Sequence, residues 1–381
     1  MEIQSGNPPP YTDATVVHYL QQTWEIAALL RASDIHFEPF ETFYRVRLRV
    51  DGVLQEIAAP PFEFKDQIAS RIKVLSRLDI AEKRLPQDGR MNLGLENSQR
   101  LNLRVSTLPT LFGEKIVVRV LSTDLAKLNL DHLGYNPSDK QKLLDAIQKP
   151  HGFILVTGPT GSGKSQSLYA CLNLLNRAEV NIATVEDPSE IQLPGINQVN
   201  VKERIGLNFA TSLRAFLRQD PDILMVGEIR DSETADIAIK ASQTGHLVLS
   251  TLHTNDAPST LTRLNHMGIA GFNLASSVVL ICAQRLVRRL CPHCKQLVPG
   301  QQRYKAIGCP QCQQGYKGRI GIHQVMPISE AMQNLILAQA SALEIAAQAR
   351  QEGVLSLHED GLQKVAAGDT SLEELSGAAH A

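Results

Sequence analysis

The chain has 381 residues, which is room for two or three domains. Hydrophobic residues make up 43%, enough for a core and too many for global disorder. Basic and acidic residues balance at 38 against 39, which argues against a general polyanion binder and leaves only local basic patches. Four of the six cysteines form two Cys-x-x-Cys pairs, a pattern of metal binding in a reducing compartment rather than a secreted disulfide framework. Met1 to Tyr11 is polar and Pro-rich, unlike a signal peptide. No stretch approaches the ~20 apolar residues of a membrane helix. Phe272 to Ala283 comes nearest and reads as a core helix. A soluble, intracellular protein is expected, with membrane association made only through partners.

Residues 1–11 read as a disordered lead-in. Thr12 to Arg31 carries Val16, Val17, Leu20, Trp24, Ile26, Ala27 and Leu30 at near-helical spacing, with one buried face. Tyr44 to Val50 alternates as a strand, Asp51-Gly52 turns, and Val53 to Ala58 returns, so a hairpin is predicted. Phe64 to Leu78 is helical, and Arg84 to Arg90 has the chemistry of a loop. Leu101 to Val105 and Lys115 to Leu121 are strands. Residues 12–121 therefore form a small α+β domain. It is rich in arginine: Arg45, Arg47, Arg49, Arg84, Arg90, Arg104 and Arg119. Such side chains can reach a phosphate or can line a solvated strand face, and spacing alone does not choose among them.

Residues 122–133 read as a linker, and strands and helices alternate over 134–381. Gly158-Pro159-Thr160-Gly161-Ser162-Gly163-Lys164-Ser165 fits the phosphate-loop pattern between an apolar strand, Phe153 to Thr157, and a helix, Gln166 to Asn176. Glycines let backbone amides curl around a polyphosphate, and the helix points its positive end at the same anion. Lys164 suits the β- and γ-phosphates of ATP, and the Ser165 hydroxyl suits Mg²⁺. Further strands are Val180 to Val185, Ile223 to Val226 and Leu247 to Thr251. They end at Glu186-Asp187-Pro188, at Gly227-Glu228 and before His253, with His246 ahead of the last. Acidic groups where such strands end belong near the nucleotide, so a RecA-like parallel sheet with helices on both faces is expected. Glu228 can hold Mg²⁺ or polarise water. Glu186 can do the same or simply cap a turn. His246 and His253 read as sensors or as core histidines.

Cys291-Pro292-His293-Cys294 and Cys309-Pro310-Gln311-Cys312 are two knuckles suited to tetrahedral Zn²⁺ in a subdomain at 285–323. Four thiolates close the shell, so this site is structural. Arg285, Arg288, Arg289 and Lys295 make the zinc region locally basic, most simply as a solvated face. Cys171 and Cys282 read as buried residues in helices. The tail from Ser329 is helical, with Ser341 and Glu344 forming a capping box and Ala378 to Ala381 fraying.

Several of these blocks together resemble the secretion ATPases of bacterial type II secretion and type IV pilus assembly. They are Ser33 to His36 through Arg49 to Gly52, Ala81 to Arg90, Arg104 to Thr107, the phosphate loop, Glu186 to Pro188, Leu217 to Asp222 through Gly227 to Asp231, and Thr244 to His246 through Thr251 to Thr254. The resemblance covers about residues 25–375. It implies a PAS-like N-terminal domain and a RecA-like ATPase domain with C-terminal helices. It also implies a cytoplasmic homo-hexamer docked at the inner membrane on a platform protein, with a recruitment protein. By the same resemblance Arg104 and Arg119 reach the γ-phosphate, Glu186 is the base, Glu228 is the metal-side glutamate, and Glu186, Glu228, His246 and His253 share the catalytic work. The cysteine knuckles favour the assembly and secretion branch. Three departures stand out: Gln166 in place of a usual Thr beside the nucleotide, a short spacing between knuckles, and no long N-terminal recruitment domain among these residues. A RecA-like nucleic-acid motor is the rival reading, but it calls for stacking aromatics and a basic channel, and aromatics are only 5%. A nucleotide-binding scaffold without hydrolysis is a second rival, opposed by Lys164, Glu186 and Glu228. No nucleic-acid partner and no membrane insertion are expected.

Overall fold

The computed structural model describes residues 16–95, 100–121 and 128–379. Residues 1–15, which hold the expected lead-in and the start of the expected first helix, residues 96–99, residues 122–127 of the expected linker and the last two residues lie outside them. The chain divides into two units, Met1–Thr123 and Asp124–Ala381.

In the first unit, α1 (Val16–Leu29) buries Tyr19, Leu20, Thr23, Trp24 and Ala27, one stripe of a 3.6-residue repeat. Strands β1 (Asp34–Pro39), β2 (Tyr44–Val50) and β3 (Val53–Ile57) follow. The β2–β3 turn has positive φ at Asp51 and Gly52, as a two-residue hairpin requires. In β2 the residues Tyr44, Val46, Leu48 and Val50 point inward, and Arg45, Arg47 and Arg49 lie on the other face. Helix α2 (Lys65–Leu75) leads to β4 (Gln87–Gly94), β5 (Arg100–Thr110) and β6 (Gly113–Leu121). The strands form one antiparallel sheet in the order β3-β2-β1-β6-β5-β4. Trp24 meets Phe37 edge-on in the core between sheet and helices. The expected loop at 84–90 is corrected here: Gln87 onward pairs with β5 as an edge strand. Its turn-like composition has a local cause, because a Cβ on Gly89 would stand 2.7 Å from the Ser76 carbonyl oxygen.

The second unit opens with α3 (Pro137–Ile147), capped by Asn136. Then come β7 (Gly152–Thr157), α4 (Lys164–Leu175), β8 (Ile182–Glu186), β9 (Asn197–Asn200), α5 (Phe209–Phe216), β10 (Ile223–Val226), α6 (Ser232–Gln243) and β11 (Leu247–Leu252). Helices α7 (Ala257–His266) and α8 (Gly271–Ser277) precede β12 (Val278–Leu290), the short β13 (Gln296–Leu297) and β14 (Tyr304–Lys305), and β15 (Tyr316–Pro327). Helices α9 (Glu330–Leu337), α10 (Ala342–Gln351), α11 (Leu357–Ala366) and α12 (Leu372–Ala379) close the chain. The Ser341–Glu344 capping box is present, and Ser356–Glu359 makes a second.

The main sheet runs β15-β12-β7-β11-β10-β8-β9, parallel throughout except for β15 at its edge. Strands β7, β8, β10 and β11 are buried at every residue, as a sheet covered on both faces demands. Phe153, Leu155, Val185, Leu224 and Val248 face a core with α5 to α10, while Ile154, Val156, Ile182, Met225 and Leu249 face α3 and α4. This is the expected α/β architecture. Two expectations at 272–283 are corrected. The helix ends at Ser277, and Val278 starts a strand, so Cys282 sits on β12 and not on a helix. The run Val278 to Ala283 is apolar on both sides because both faces of the sheet are covered, so it shows no alternation.

Candidate nucleotide site and metal cluster

The phosphate loop joins β7 to α4. Gly161 and Gly163 have φ of +81° and +88°, and Gly163 is the left-handed residue that starts α4. Lys164 is buried, and its Nζ donates to the carbonyl oxygens of Gly158 at 2.8 Å and Pro159 at 3.0 Å. Burial brings its pKa from 10.5 down to about 8; Arg285 adds to the fall, and Glu228 opposes it. Ser162 Oγ is buried without a hydrogen-bond partner among the described residues. A nest of amides with an orphan donor fits an anion. Thr157, the last residue of β7, is fixed by Leu252 and Thr254 through its hydroxyl. Ser165 is half-buried in the first turn of α4, and Gln166 is exposed.

The neighbouring parallel strands deliver the acids. Val185 of β8 pairs with Val226 of β10, so Glu186 lies beside Gly227, whose Cβ would come within 3.3 Å of the Glu186 Cα. Glu186 is 4% exposed. Thr184 Oγ1 donates to its Oε1 at 2.6 Å, Gln198 Nε2 donates to the same oxygen at 3.1 Å, and the Tyr169 hydroxyl donates to Oε2. Burial, then Glu186, raises the Tyr169 pKa, which keeps that hydroxyl a donor. Three donors aim one carboxylate, more than a turn cap needs. Tyr169, Thr184 and Gln198 carried no signal in the sequence, since each looks like an ordinary core or loop residue.

Glu228 is half-buried past β10. Arg230 donates to its Oε1 at 2.5 Å and also approaches Asp187 at 3.3 Å. His253 Nε2 stands 3.4 Å from Glu228 Oε2. Burial and then Lys164 lower the His253 pKa below its ordinary 6.5 against the pull of Glu228, which favours the neutral ring. Arg285 was expected in a basic surface of the zinc region. It is instead 7% exposed on β12, bonded to the carbonyl oxygens of Gln284 and Asn255, with its charge felt at Lys164.

His246 does not join this group. It precedes β11, and its carbonyl accepts from the Gly152 amide at the start of β7. Six residues of β11 separate it from His253, about 20 Å of strand. Its ring Nδ1 lies 3.0 Å from the Ala241 carbonyl oxygen. The bracketing of one strand by two histidines thus puts them at its opposite ends.

Arg104 and Arg119 belong to the first unit. They face each other across β5 and β6, and Arg104 faces Arg90 across β4 and β5. Directly opposed residues share a face, so three guanidinium groups form a row. Asp34 balances part of it, 2.9 Å from Arg119 Nε, and Asp88 lies 3.6 Å from Arg104.

The thiols of Cys291, Cys294, Cys309 and Cys312 lie within 4.8 Å of one another. The pairs Cys291–Cys309 and Cys294–Cys312 are 3.9 Å and 3.6 Å apart. A tetrahedron with Zn–S bonds of about 2.3 Å has edges of about 3.8 Å, so these thiols fit such an ion closely. The Cys309 amide points at Cys312 Sγ from 3.2 Å, a donor suited to a thiolate. Strands β13 and β14 form the small hairpin between the knuckles.

No helix among the described residues is long and apolar enough to cross a membrane. Comparison with known proteins places the chain. The family model described as "Type II/IV secretion system protein" matches residues 11–377. The type IV pilus assembly ATPase PilB of Acinetobacter baylyi is 53% identical over 95% of this chain and 66% of its own length. HxcR, a type II secretion system protein of Pseudomonas aeruginosa, is 50% identical over 95% of this chain and 77% of its own. The chain spans about two thirds of the length of the PilB proteins it matches. Among solved structures, the ATPase DotB of Legionella pneumophila aligns over 97% of each chain with a TM-score of 0.72 at 21% identity. The pilus retraction motor PilT with bound ADP aligns over 94% of this chain and 96% of its own, with a TM-score of 0.65 at 24% identity. These two show the shared fold. The match over nearly the whole chain, and relatives near half identical, make this chain a member of the type II/IV secretion system protein family.

Proposed function

We propose that this chain hydrolyses ATP and that the hydrolysis powers type IV pilus assembly or type II secretion. One observation carries the reading: the phosphate loop, Glu186, Glu228 and His253 come together where parallel strands β7, β8, β10 and β11 end. In an open α/β sheet that is where ligands bind. The names of the relatives, pilus assembly ATPase and type II secretion protein, support the same reading.

In this reading the loop amides of Gly158, Pro159, Thr160, Gly161, Ser162 and Gly163 cradle the phosphates. Lys164 leaves its carbonyl partners to bind the β- and γ-phosphates, and Gln166 flanks them. Ser165 and Glu228 would hold Mg²⁺, which would supply charge to neutralise the phosphates. Glu186, aimed by Tyr169 and Thr184, orients the attacking water. Arg230 and His253 set the orientation of Glu228. Arg104 and Arg119 supply the further positive charge that a γ-phosphoryl transition state needs. The four cysteines hold Zn²⁺ as a closed structural site. A cytoplasmic homo-hexamer acting with a membrane platform protein and a recruitment protein completes this reading, in keeping with relatives named for pilus assembly and type II secretion.

Lys164→Ala tests the site. Two charge-assisted contacts to phosphate are together worth about 3 kcal/mol, or roughly a hundredfold in affinity. Nucleotide binding is expected to fall by that much and turnover to vanish, with thermal unfolding unchanged. Near-parental hydrolysis would remove the phosphate loop from the mechanism.

A further inference from the structure

Strand β12 does not stop where β7 stops. Ala283 pairs with Thr157, and β12 then runs seven residues further, alongside the phosphate loop. Gln284 is the first residue of that extension and is 1% exposed. Its backbone oxygen would lie 2.4 Å from a Cβ on Gly158, the first glycine of the loop. Its side-chain Nε2 would lie 2.8 Å from a Cβ on Gly163, the last. Its Oε1 accepts from Ser167 Oγ at 2.7 Å, in the first turn of α4. Ser167 is itself fully buried and receives the Tyr135 hydroxyl at 3.1 Å. One residue therefore touches both ends of the loop and the helix that follows.

We propose that Gln284 is a positioning residue for nucleotide binding, a buried brace that holds the phosphate loop in its anion-binding shape. This rests on the reading of Gly158 to Ser165 as the nucleotide site. A loop of six residues, three of them glycine, has many conformations to lose when it closes on a phosphate. A brace already bonded to Ser167 and packed on Gly163 removes much of that loss beforehand, which is preorganisation. A buried amide also resists replacement by an apolar group, since the Ser167 hydroxyl would then lose its acceptor. The brace makes two further demands that the chain meets. Both loop ends must be glycine, because Gln284 fills the space a Cβ would take. Residue 167 must carry a small donor, which serine does.

The test is steady-state ATP hydrolysis and nucleotide binding by the full chain with Gln284→Met, Ser167→Ala and the double variant. Methionine keeps the volume and removes the amide. A brace for the ground-state loop acts on binding more than on the chemical step. Gln284→Met is therefore expected to raise KM and the nucleotide Kd about tenfold, with a smaller fall in kcat. Ser167→Ala is expected to move both in the same direction, and the double variant to add little, because the two residues make one interaction. An unchanged KM and Kd with a lowered Tm would overturn the proposal, leaving Gln284 an ordinary packing residue. A double variant whose loss is the sum of the two would overturn it as well. If Gln284→Met does not fold, Ser167→Ala decides alone, by its KM and Kd. Lys164→Ala separates this proposal from the one beneath it. Loss of binding in Lys164→Ala with none in Gln284→Met refutes the brace only, whereas retained binding in Lys164→Ala refutes the nucleotide site itself.

Discussion

Lys164 carries an unusual charge for a lysine. Its amine is buried, held by two carbonyl oxygens of its own loop, and its pKa is brought down to about 8. A bound phosphate raises that pKa again, because an opposite charge favours the ammonium. Binding at pH 8 is then expected to take up about half a proton per site, and almost none near pH 6.5. The sign follows: uptake on binding means that affinity falls as pH rises through 8. Calorimetry in buffers of different ionisation enthalpy measures the uptake directly, and equal values at the two pH settings would contradict the assignment. At this scale the sequence was legible where function forces a residue type into a spaced pattern. Lys164, Glu186, Glu228 and His253 were expected near one another, and the strand ends bring them together. His246 lies at the other end of β11, since a strand read as a line does not say which of its ends faces the ligand. Tyr169 and Gln284 left no pattern at all, and Arg285 was read only as part of a basic face; each makes its contact between distant segments.

Elements were legible when one face or a turn motif marked them. The α1 stripe, the Asp51-Gly52 hairpin and the tail helix capped by Ser341 are of this kind. Strand β12 was not, because its first half is buried on both faces and its second half is basic. Strand β4 was hidden by Pro-Gln-Asp-Gly, which reads as a turn until the partner strand β5 is known. The metal knuckles show the opposite case, where spacing alone specified the thiol cluster. Elemental analysis of protein purified under reducing conditions is expected to find about one zinc per chain. Replacing both Cys291 and Cys294 by Ser is expected to release it and to unfold the segment between β12 and β15 at lower temperature. Lys164 starts α4 and the acids lie on or just past β8 and β10, away from the thiol cluster, so nucleotide binding is expected to persist. Protein free of zinc with an unchanged unfolding profile would refute a structural metal.

For the molecule as a whole, the proposal divides the work between the two units. The second offers the phosphate loop and the acids, and the first offers a row of arginines at 90, 104 and 119. In phosphoryl transfer such arginines are worth ~10³–10⁵ in rate. On that proposal, sensing the γ-phosphate with arginines of the first unit is what would couple hydrolysis to movement. The same logic couples activity to assembly if the arginines serve a neighbouring chain. The most direct measurement is ATP turnover per chain against protein concentration, with light scattering on the same samples, for the parent and for Arg104→Ala. The account predicts that parental turnover rises as the chain assembles into larger particles. It predicts that Arg104→Ala assembles and binds nucleotide like the parent yet turns over at least about a thousandfold more slowly, within the range such arginines supply. Parental turnover that is absent at every concentration, or an Arg104→Ala rate equal to the parent's in assembled samples, would contradict it.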